Sequence, residues 1–282
     1  MTLYVFLAVL AAAFLHALWN TLVKSRSDPS VAMALLSVGG GLASLPILFA
    51  NPIPPTEAWP LLAASVAIHI AYFAALGQAY RLGDLTQMYP IARGTAPLLT
   101  TAGAAFFLGE QISGTGLAGV LALVAGIFLL ALNRTGMARS AQNVRGIGFA
   151  LLTAGTITAY TLVDAAGARI GPSPWPYAGW MLFLQAAAML IYGFVRWPQL
   201  MVSEARASGL PLLAGGALVV ISYALAMWAM AQAPVALVAA LRETSVLFVA
   251  LFGIVFLKES LVPQRVAAAL VMCVGLVLLR LA

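Results

Sequence analysis

Ten times along its 282 residues this chain offers an apolar stretch long enough, or nearly so, to cross a hydrocarbon core of about 30 Å as a helix of about 20 residues. The stretches lie near 3–23, 31–50, 59–80, 85–108, 115–132, 145–168, 175–196, 209–231, 235–257 and 262–281. A chain that is 63% hydrophobic and 8% charged, with mean hydropathy +1.03, cannot hide that surface inside a water-soluble fold. The expected fold class is an all-α integral membrane protein of ten transmembrane helices, with lipid as its surroundings. Almost nothing is left outside the bilayer for a soluble catalytic or nucleotide-binding domain. No Gly-x-x-x-x-Gly-Lys loop occurs, so neither direct ATP drive nor an ATPase subunit is expected. The lone Cys273 offers neither an internal disulfide nor a metal cluster, and no cofactor or metal is expected. The opening segment has no basic residue before its apolar run, but Lys24 and Arg26 follow it, the reverse of a cleavable signal peptide. It is expected to stay as the first span.

Residues 93–130 and 242–279 read as two copies of one segment. A single offset of 149 residues places Arg93 on Arg242, Thr95 on Thr244, Leu98 on Leu247, Phe107-Leu108 on Phe256-Leu257, Glu110 on Glu259, Ala118 on Ala267 and Gly126 on Gly275. The second copy departs from the first where Pro90 and Pro97 face Ala239 and Val246, and where Asp84 faces Ala233. The chain divides on this reading into a five-helix repeat over 1–140 and a second over 141–282, joined in one membrane domain. Five spans is an odd number, so the second repeat enters the membrane in the opposite sense. Inverted halves around a central cavity are the geometry of alternating access at a midplane site. Such a fusion already holds both halves of a site, so a monomer suffices.

Loop arginines and lysines set the orientation. Lys24, Arg26, Arg81, Arg134, Arg139, Arg145, Arg196, Arg206, Lys258 and Arg265 follow the odd-numbered spans, whereas the other side has Arg169 and Arg280 with Glu57 and Glu110. The positive-inside rule makes the first set cytoplasmic and puts both termini outside, on the periplasmic side of a bacterial inner membrane. The net charge of +6 then needs no nucleic-acid partner.

Charges inside the spans narrow the site. Arg93 lies about 12 Å into span 4, and Arg242 lies at similar depth in span 9. A guanidinium at such depth costs about 2.5–3.5 kcal/mol or more, so it must face water, a carboxylate or a substrate anion. Two roles fit Arg93: binding substrate, or a structural one, capping carbonyls freed by Pro90 and Pro97 or pairing with Glu243. For Arg242 the adjacent Glu243 favours a structural pairing. Two prolines within Tyr89 to Pro97 remove backbone donors, and a kink or break is expected there, lining a pathway. Polar and aromatic residues at helical spacing supply the remaining candidates for substrate binding: His16, Trp19 and Asn20; His69 and Tyr72; Tyr89; Tyr160, with Thr153 and Thr156; and Ser222, Tyr223 and Trp228. Trp59, Trp175 and Trp197 stand at span ends as headgroup anchors, and Asp164 is expected near the solvated end of span 6.

The ten spans, the five-plus-five duplication, the Tyr89–Pro97 segment and the span ends Phe107-Leu108-Gly109-Glu110 and Phe256-Leu257-Lys258-Glu259 resemble the drug/metabolite transporter superfamily, EamA type. The resemblance covers essentially the whole chain. His16–Asn20 and Tyr89–Pro97 look most similar to bacterial amino-acid exporters of the YddG kind. It implies a basket in which spans 1, 3, 4, 6, 8 and 9 surround the cavity, spans 5 and 10 pack outside, and Glu110 and Glu259 are structural.

The expected function is secondary export of small amphipathic metabolites, amino acids including aromatic ones foremost, with Arg93 on the carboxylate and aromatic walls for the side chain. Export of drugs, nucleobases or nucleotide sugars is the competing reading. A membrane-embedded enzyme would need a catalytic constellation, and no His-Glu-x-x-His occurs. A channel would need a ring of like residues. His16 and His69 suit a proton antiporter, while the scarcity of midplane carboxylates suits a facilitated exporter.

Overall fold

The computed structural model describes residues 1–24, 26, 28–83, 85–131, 141–257 and 262–282. Asp84, Arg134, Arg139, Lys258 and Glu259 of the sequence reading lie outside them. Among the described residues every regular element is helical: α1 (Leu3–Lys24), α2 (Pro29–Ala50), a 3-10 turn (Thr56–Ala58), α3 (Trp59–Leu82), α4 (Leu85–Phe107), α5 (Gly114–Ala131), α6 (Ala141–Ala168), α7 (Trp175–Arg196), α8 (Pro198–Gln232), α9 (Val235–Arg242), α10 (Ser245–Leu257) and α11 (Pro263–Leu281). Prolines in the first turn open α2, α3, α7, α8 and α11, where the missing N–H has no intrahelical partner to lose. Asp28 caps α2, its Oδ1 accepting from the Ser30 and Val31 amides at 2.9 and 3.2 Å.

Eight described stretches are long and apolar enough to cross a membrane: Leu3–Val23, Ser30–Ala50, Thr56–Leu82, Asn143–Ala168, Trp175–Arg196, Pro198–Gln232, Val235–Phe252 and Pro263–Leu281. The apolar stretch of α5, Gly114–Leu130, is shorter, and α4 carries Arg93 among threonines and prolines. The molecule is a multi-pass membrane protein. Its outer surface is apolar, with Phe49, Phe106, Val195 and Leu210 each at least 80% exposed, while Ser65, His69, Arg93, Asp164 and Glu243 are buried. That inside-out distribution is the one lipid requires.

Packing pairs the two ends of the sequence. α3 lies along α6 and α1 along α8; α2 contacts α7 and α8, and α7 contacts α3 in turn; α4 lies on α6 as α10 and α9 lie on α1. α5 packs on α11, away from the other helices except α4 and α9. A Cβ on Gly126 would meet Met272 and the Ala268 carbonyl, and one on Gly275 would meet Leu123 N and the Gly119 carbonyl at 2.8 and 2.9 Å. Positions rise on one helix as they fall on the other, so α5 and α11 run antiparallel.

The tightest crossing is that of α2 with α8. A Cβ on Gly216 would fall on the backbone of Gly39 and Gly40, and one on Gly39 would fall on the backbone of Leu213. No side-chain rotation relieves a clash between backbones. Gly216→Ala is therefore expected to cost at least the 1–3 kcal/mol or so typical of overpacking, read as a lowered thermal midpoint and lost monodispersity in detergent. Gly155→Ala, which would enter open space, is the control and is expected to be neutral.

Two expectations about helix geometry are corrected. α8 starts at Pro198 instead of 209, because Pro198 nucleates a first turn that continues through Glu204 and Arg206 into the apolar span. The interruption expected at Pro90 and Pro97 is absent: α4 is continuous from Leu85 to Phe107. Beside Pro97, Thr101 Oγ1 donates to Pro97 O at 2.8 Å and Thr158 Oγ1 of α6 to Ala96 O at 3.3 Å, so hydroxyls of α4 and α6 brace the segment. The break lies instead in the second half, at Glu243-Thr244. There the amides of Glu243, Thr244, Val246 and Leu247 bond three residues back, and the Thr244 hydroxyl takes the Leu241 carbonyl at 2.7 Å. A threonine hydroxyl that competes for a helix carbonyl loosens the α pattern without any proline.

At the end opposite the basic loops, one carboxylate ties four segments together. Glu110 Oε2 accepts the Val235 amide at 2.7 Å, capping α9, and Oε1 pairs with Arg169 Nη2 at 2.6 Å. Arg169 Nε also donates to the Met230 carbonyl at the end of α8, at 3.0 Å. Glu110→Ala is expected to destabilise the fold by about 1–2 kcal/mol, and Glu110→Gln, which keeps an acceptor for Val235, by less; thermal unfolding in detergent separates the two.

Candidate functional site

The candidate residues sit on helix faces set by offsets of three and four. His16, Trp19 and Asn20 share one face of α1, His69 and Tyr72 one face of α3, and Thr153, Tyr160 and Asp164 one face of α6. These faces meet in the interior. A cavity of about 160 Å³ is lined by His16, Trp19, Asn20, Tyr72, Tyr89 and Arg93. A second of about 70 Å³ shares His16, Trp19, Tyr72 and Arg93 with it and adds His69, Tyr160, Ser222, Tyr223 and Arg242. Both adjoin a vestibule of about 550 Å³ at the basic end, lined by Asp28, Arg81 and Arg196, with Met33 and Phe73 or Leu76 and Tyr80 on the shared walls.

The walls are aromatic. His69 stacks on Tyr160 with ring centroids 4.1 Å apart, Tyr72 meets Tyr160 edge-on at 5.8 Å, and His16 meets Trp19 edge-on at 4.6 Å. Asn20 donates to the His16 carbonyl of its own helix at 2.8 Å, and Ser222 of α8 donates to the Ala12 carbonyl of α1 at 2.8 Å. Trp228 is set apart from these residues: it faces Tyr4 at 6.1 Å and lines neither cavity. Its position about one turn of α8 before the helix end at Gln232 carries it beyond Ser222 and Tyr223.

Of the two arginines open to Glu243, the structure pairs it with Arg93. Glu243 does not neutralise its neighbour Arg242. Its Oε2 lies 2.9 Å from Arg93 Nε, near enough for an ion pair although the N–H is not aimed as a hydrogen bond. The tight turn after α9 brings Glu243 onto Arg93 of α4, while Arg242, which lines the same small gap, makes no ion pair within 4 Å among the described residues. Arg93 Nη2 also approaches His16 Nε2 at 3.5 Å. Arg242 lies over the Tyr223 ring, 5.0 Å from its centroid, with no carboxylate in contact among the described residues. Arg242 is thus a cavity cation with no carboxylate within ion-pair distance among the described residues.

Asp164 is not solvated as the sequence reading expected. It is fully buried, and its two oxygens accept from the hydroxyls of Tyr177 at 3.0 Å and Tyr223 at 2.6 Å. Sequence reasoning passed over it because those partners come from α7 and α8. The available signal was its spacing of four from Tyr160, on the face that Thr153 also shares.

The chemistry these residues support is binding, not bond breaking: an anionic group on Arg242, with apolar and cation-tolerant rings around it. Comparison with known proteins agrees with the architecture. The family model described as the EamA-like transporter family matches residues 2–132 and, separately, residues 144–281. No curated protein matches the sequence. A solved protein structure with 19% sequence identity superposes with a TM-score of 0.79, covering 99% of this chain and 98% of its own, and shows a similar fold.

Proposed function

Since the chain belongs to the EamA-like transporter family, a family of membrane transporters and not of enzymes, we propose that it exports small amphipathic metabolites, amino acids including aromatic ones foremost, across a bacterial inner membrane. One observation carries the substrate class. Arg242, partnered by a ring and by no carboxylate among the described residues, faces a cavity walled by Trp19, Tyr72, His69 and Tyr160. A guanidinium fork takes a carboxylate, and the rings take an ammonium group or an apolar side chain. Arg93, already paired with Glu243, is the organising member of the two arginines.

Ten spans in two inverted five-helix repeats, 1–140 and 141–282, are the architecture of this reading, with α9 and α10 forming one interrupted span. Support comes from the offset of 149 residues. It relates Gly126 to Gly275, and it relates the contacts of Gly126, at Ala268 and Met272, to those of Gly275, at Gly119 and Leu123. Corresponding helices that pack antiparallel and reciprocally imply a pseudo-twofold axis in the membrane plane. The basic end, carrying Arg81 and Arg196, is cytoplasmic by the positive-inside rule, and both termini are periplasmic. The vestibule then faces the cytoplasm, and the Glu110–Arg169–Val235 cluster closes the periplasmic side, an inward-open arrangement of an alternating-access cycle.

The test is uptake of tritiated phenylalanine, leucine and threonine into proteoliposomes beside empty vesicles. Saturable uptake with mutual competition is expected. A folded protein that moves none of them, but moves cationic dyes or nucleobases, would shift the assignment to that substrate class.

A further inference from the structure

We propose that Asp164 is a proton-binding site of this transporter, linked to the substrate site through the single side chain of Tyr223. The proposal rests on the transport reading above and adds to it the coupling ion and the residue that carries it.

Among the described residues the acidic side chains that share the helical interior are Asp164 and Glu243, and they differ in kind. Glu243 has a cation, Arg93, at 2.9 Å. Asp164 has no ion pair among the described residues: its oxygens accept from two tyrosine hydroxyls, with the Ser65 hydroxyl also bonded to it and the titratable His69 beside it. A carboxylate buried inside a membrane helix without a counter-ion carries a large desolvation cost as an anion. The hydroxyl donors offset part of it. Protonation removes the charge and leaves a group that still accepts one of those bonds and gains a donor of its own. Both states are structurally supported, which is what a site that binds and releases a proton requires.

The groups facing Asp164 come from four helices. His69 and Ser65 face it from α3, Tyr177 from α7, Tyr223 from α8 and Tyr160 from its own α6. Arg242, at the end of α9, is one ring further away, across Tyr223. Of these, His69 and Tyr223 also line the substrate cavity, so a proton arriving in the cavity reaches Asp164 through a single layer of side chains. Ser65 Oγ lies 3.3 Å from His69 Nδ1 and holds that imidazole at the layer.

Tyr223 is the link. Its hydroxyl donates to Asp164 at 2.6 Å, and its ring face carries Arg242 at 5.0 Å. An anionic Asp164 pulls the hydroxyl in and fixes the ring under the guanidinium. A protonated Asp164 accepts that bond more weakly, because a charge-assisted hydrogen bond is about twice as strong as a neutral one. Occupancy by a proton and the position of the cation that takes the substrate carboxylate are therefore not independent, and by thermodynamic linkage the coupling is mutual. The proton and substrate exchange in opposite directions, so a gradient that is acid inside a vesicle drives substrate inward.

Two measurements test this, one of them without any substrate. An infrared pH titration of the purified protein is expected to show a protonated-carboxyl C=O band that is absent in Asp164→Asn and retained in Glu243→Gln. A band that survives Asp164→Asn, or no titrating band at all, overturns the proposal whatever the substrate is. In proteoliposomes, an acid-inside gradient is expected to raise accumulation of labelled phenylalanine several-fold in the wild type. Asp164→Asn is expected to lose that stimulation while retaining phenylalanine counterflow, which also proves it folded. Tyr223→Phe keeps the ring under Arg242 and loses the bond to Asp164. It is expected to lose the response to the gradient, and its half-saturation for phenylalanine is expected to become independent of pH. Gradient-driven accumulation that persists in both variants overturns the proposal, whereas absence of any transport in the wild type refutes the amino-acid reading and leaves the infrared result to decide the proton site.

Discussion

Arg242→Gln is expected to raise the half-saturation concentration for amino-acid uptake about thirty-fold or more. The guanidinium is the unpaired cation of the cavity, held over Tyr223 at 5.0 Å with no competing carboxylate among the described residues. Removing one partner of a desolvated charge pair costs about 2–5 kcal/mol, and each 1.4 kcal/mol or so is tenfold in affinity. Arg242→Lys retains the charge but loses the planar fork, so an intermediate loss is expected. Initial rates in proteoliposomes over a range of phenylalanine concentrations check both. An unchanged half-saturation in Arg242→Gln, with the protein monodisperse, would move the carboxylate site away from α9. An amine analogue that lacks the carboxylate is expected to be indifferent to the substitution.

Glu243→Ala is expected to lower stability by about 3–5 kcal/mol, the largest effect of any single substitution considered. It leaves Arg93, only 8% exposed, without its counter-ion inside the membrane domain. The test lies in the double variant. Arg93→Ala combined with Glu243→Ala removes both charges, and is expected to be more stable than Glu243→Ala alone, because an absent pair costs less than a broken one. Thermal unfolding of the four proteins in one detergent gives the coupling. The double variant is further expected to keep measurable substrate binding, since Arg242 remains; loss of all binding there would make the Arg93–Glu243 pair part of the substrate site.

The membrane class, the helical spans and the central face of most helices were legible in the sequence because they depend on local pattern. Apolar runs of span length and polar residues at offsets of three and four are properties of short windows, and they found His16, His69, Tyr160 and Tyr223 before any packing was known. What the sequence hid is pairwise and long-range. Glu243 was open to either arginine from sequence alone, and only the turn at Glu243-Thr244, which brings it 2.9 Å from Arg93, decides between them. Asp164 looked peripheral when measured along α6 alone, and only the arrival of Tyr177 and Tyr223 from other helices encloses it. Proline was a misleading guide to helix interruption, since α4 runs unbroken through Pro90 and Pro97, whereas a threonine with no proline near it opens the second half.

That last asymmetry has a kinetic meaning. In the alternating-access cycle proposed above, if α4 and the α9–α10 span were equal, exchanging the roles of the two halves would leave the empty carrier with the same free energy facing either side. One is continuous through two prolines and the other is interrupted at Glu243-Thr244, so the two orientations of the empty carrier differ in energy, and it rests preferentially in one. Half-saturation must then differ between the cytoplasmic and periplasmic faces. With no gradient of proton or voltage, detailed balance requires the maximal rates to differ by the same ratio, so that the carrier is lopsided in its kinetics and still brings substrate to equal concentrations on both sides.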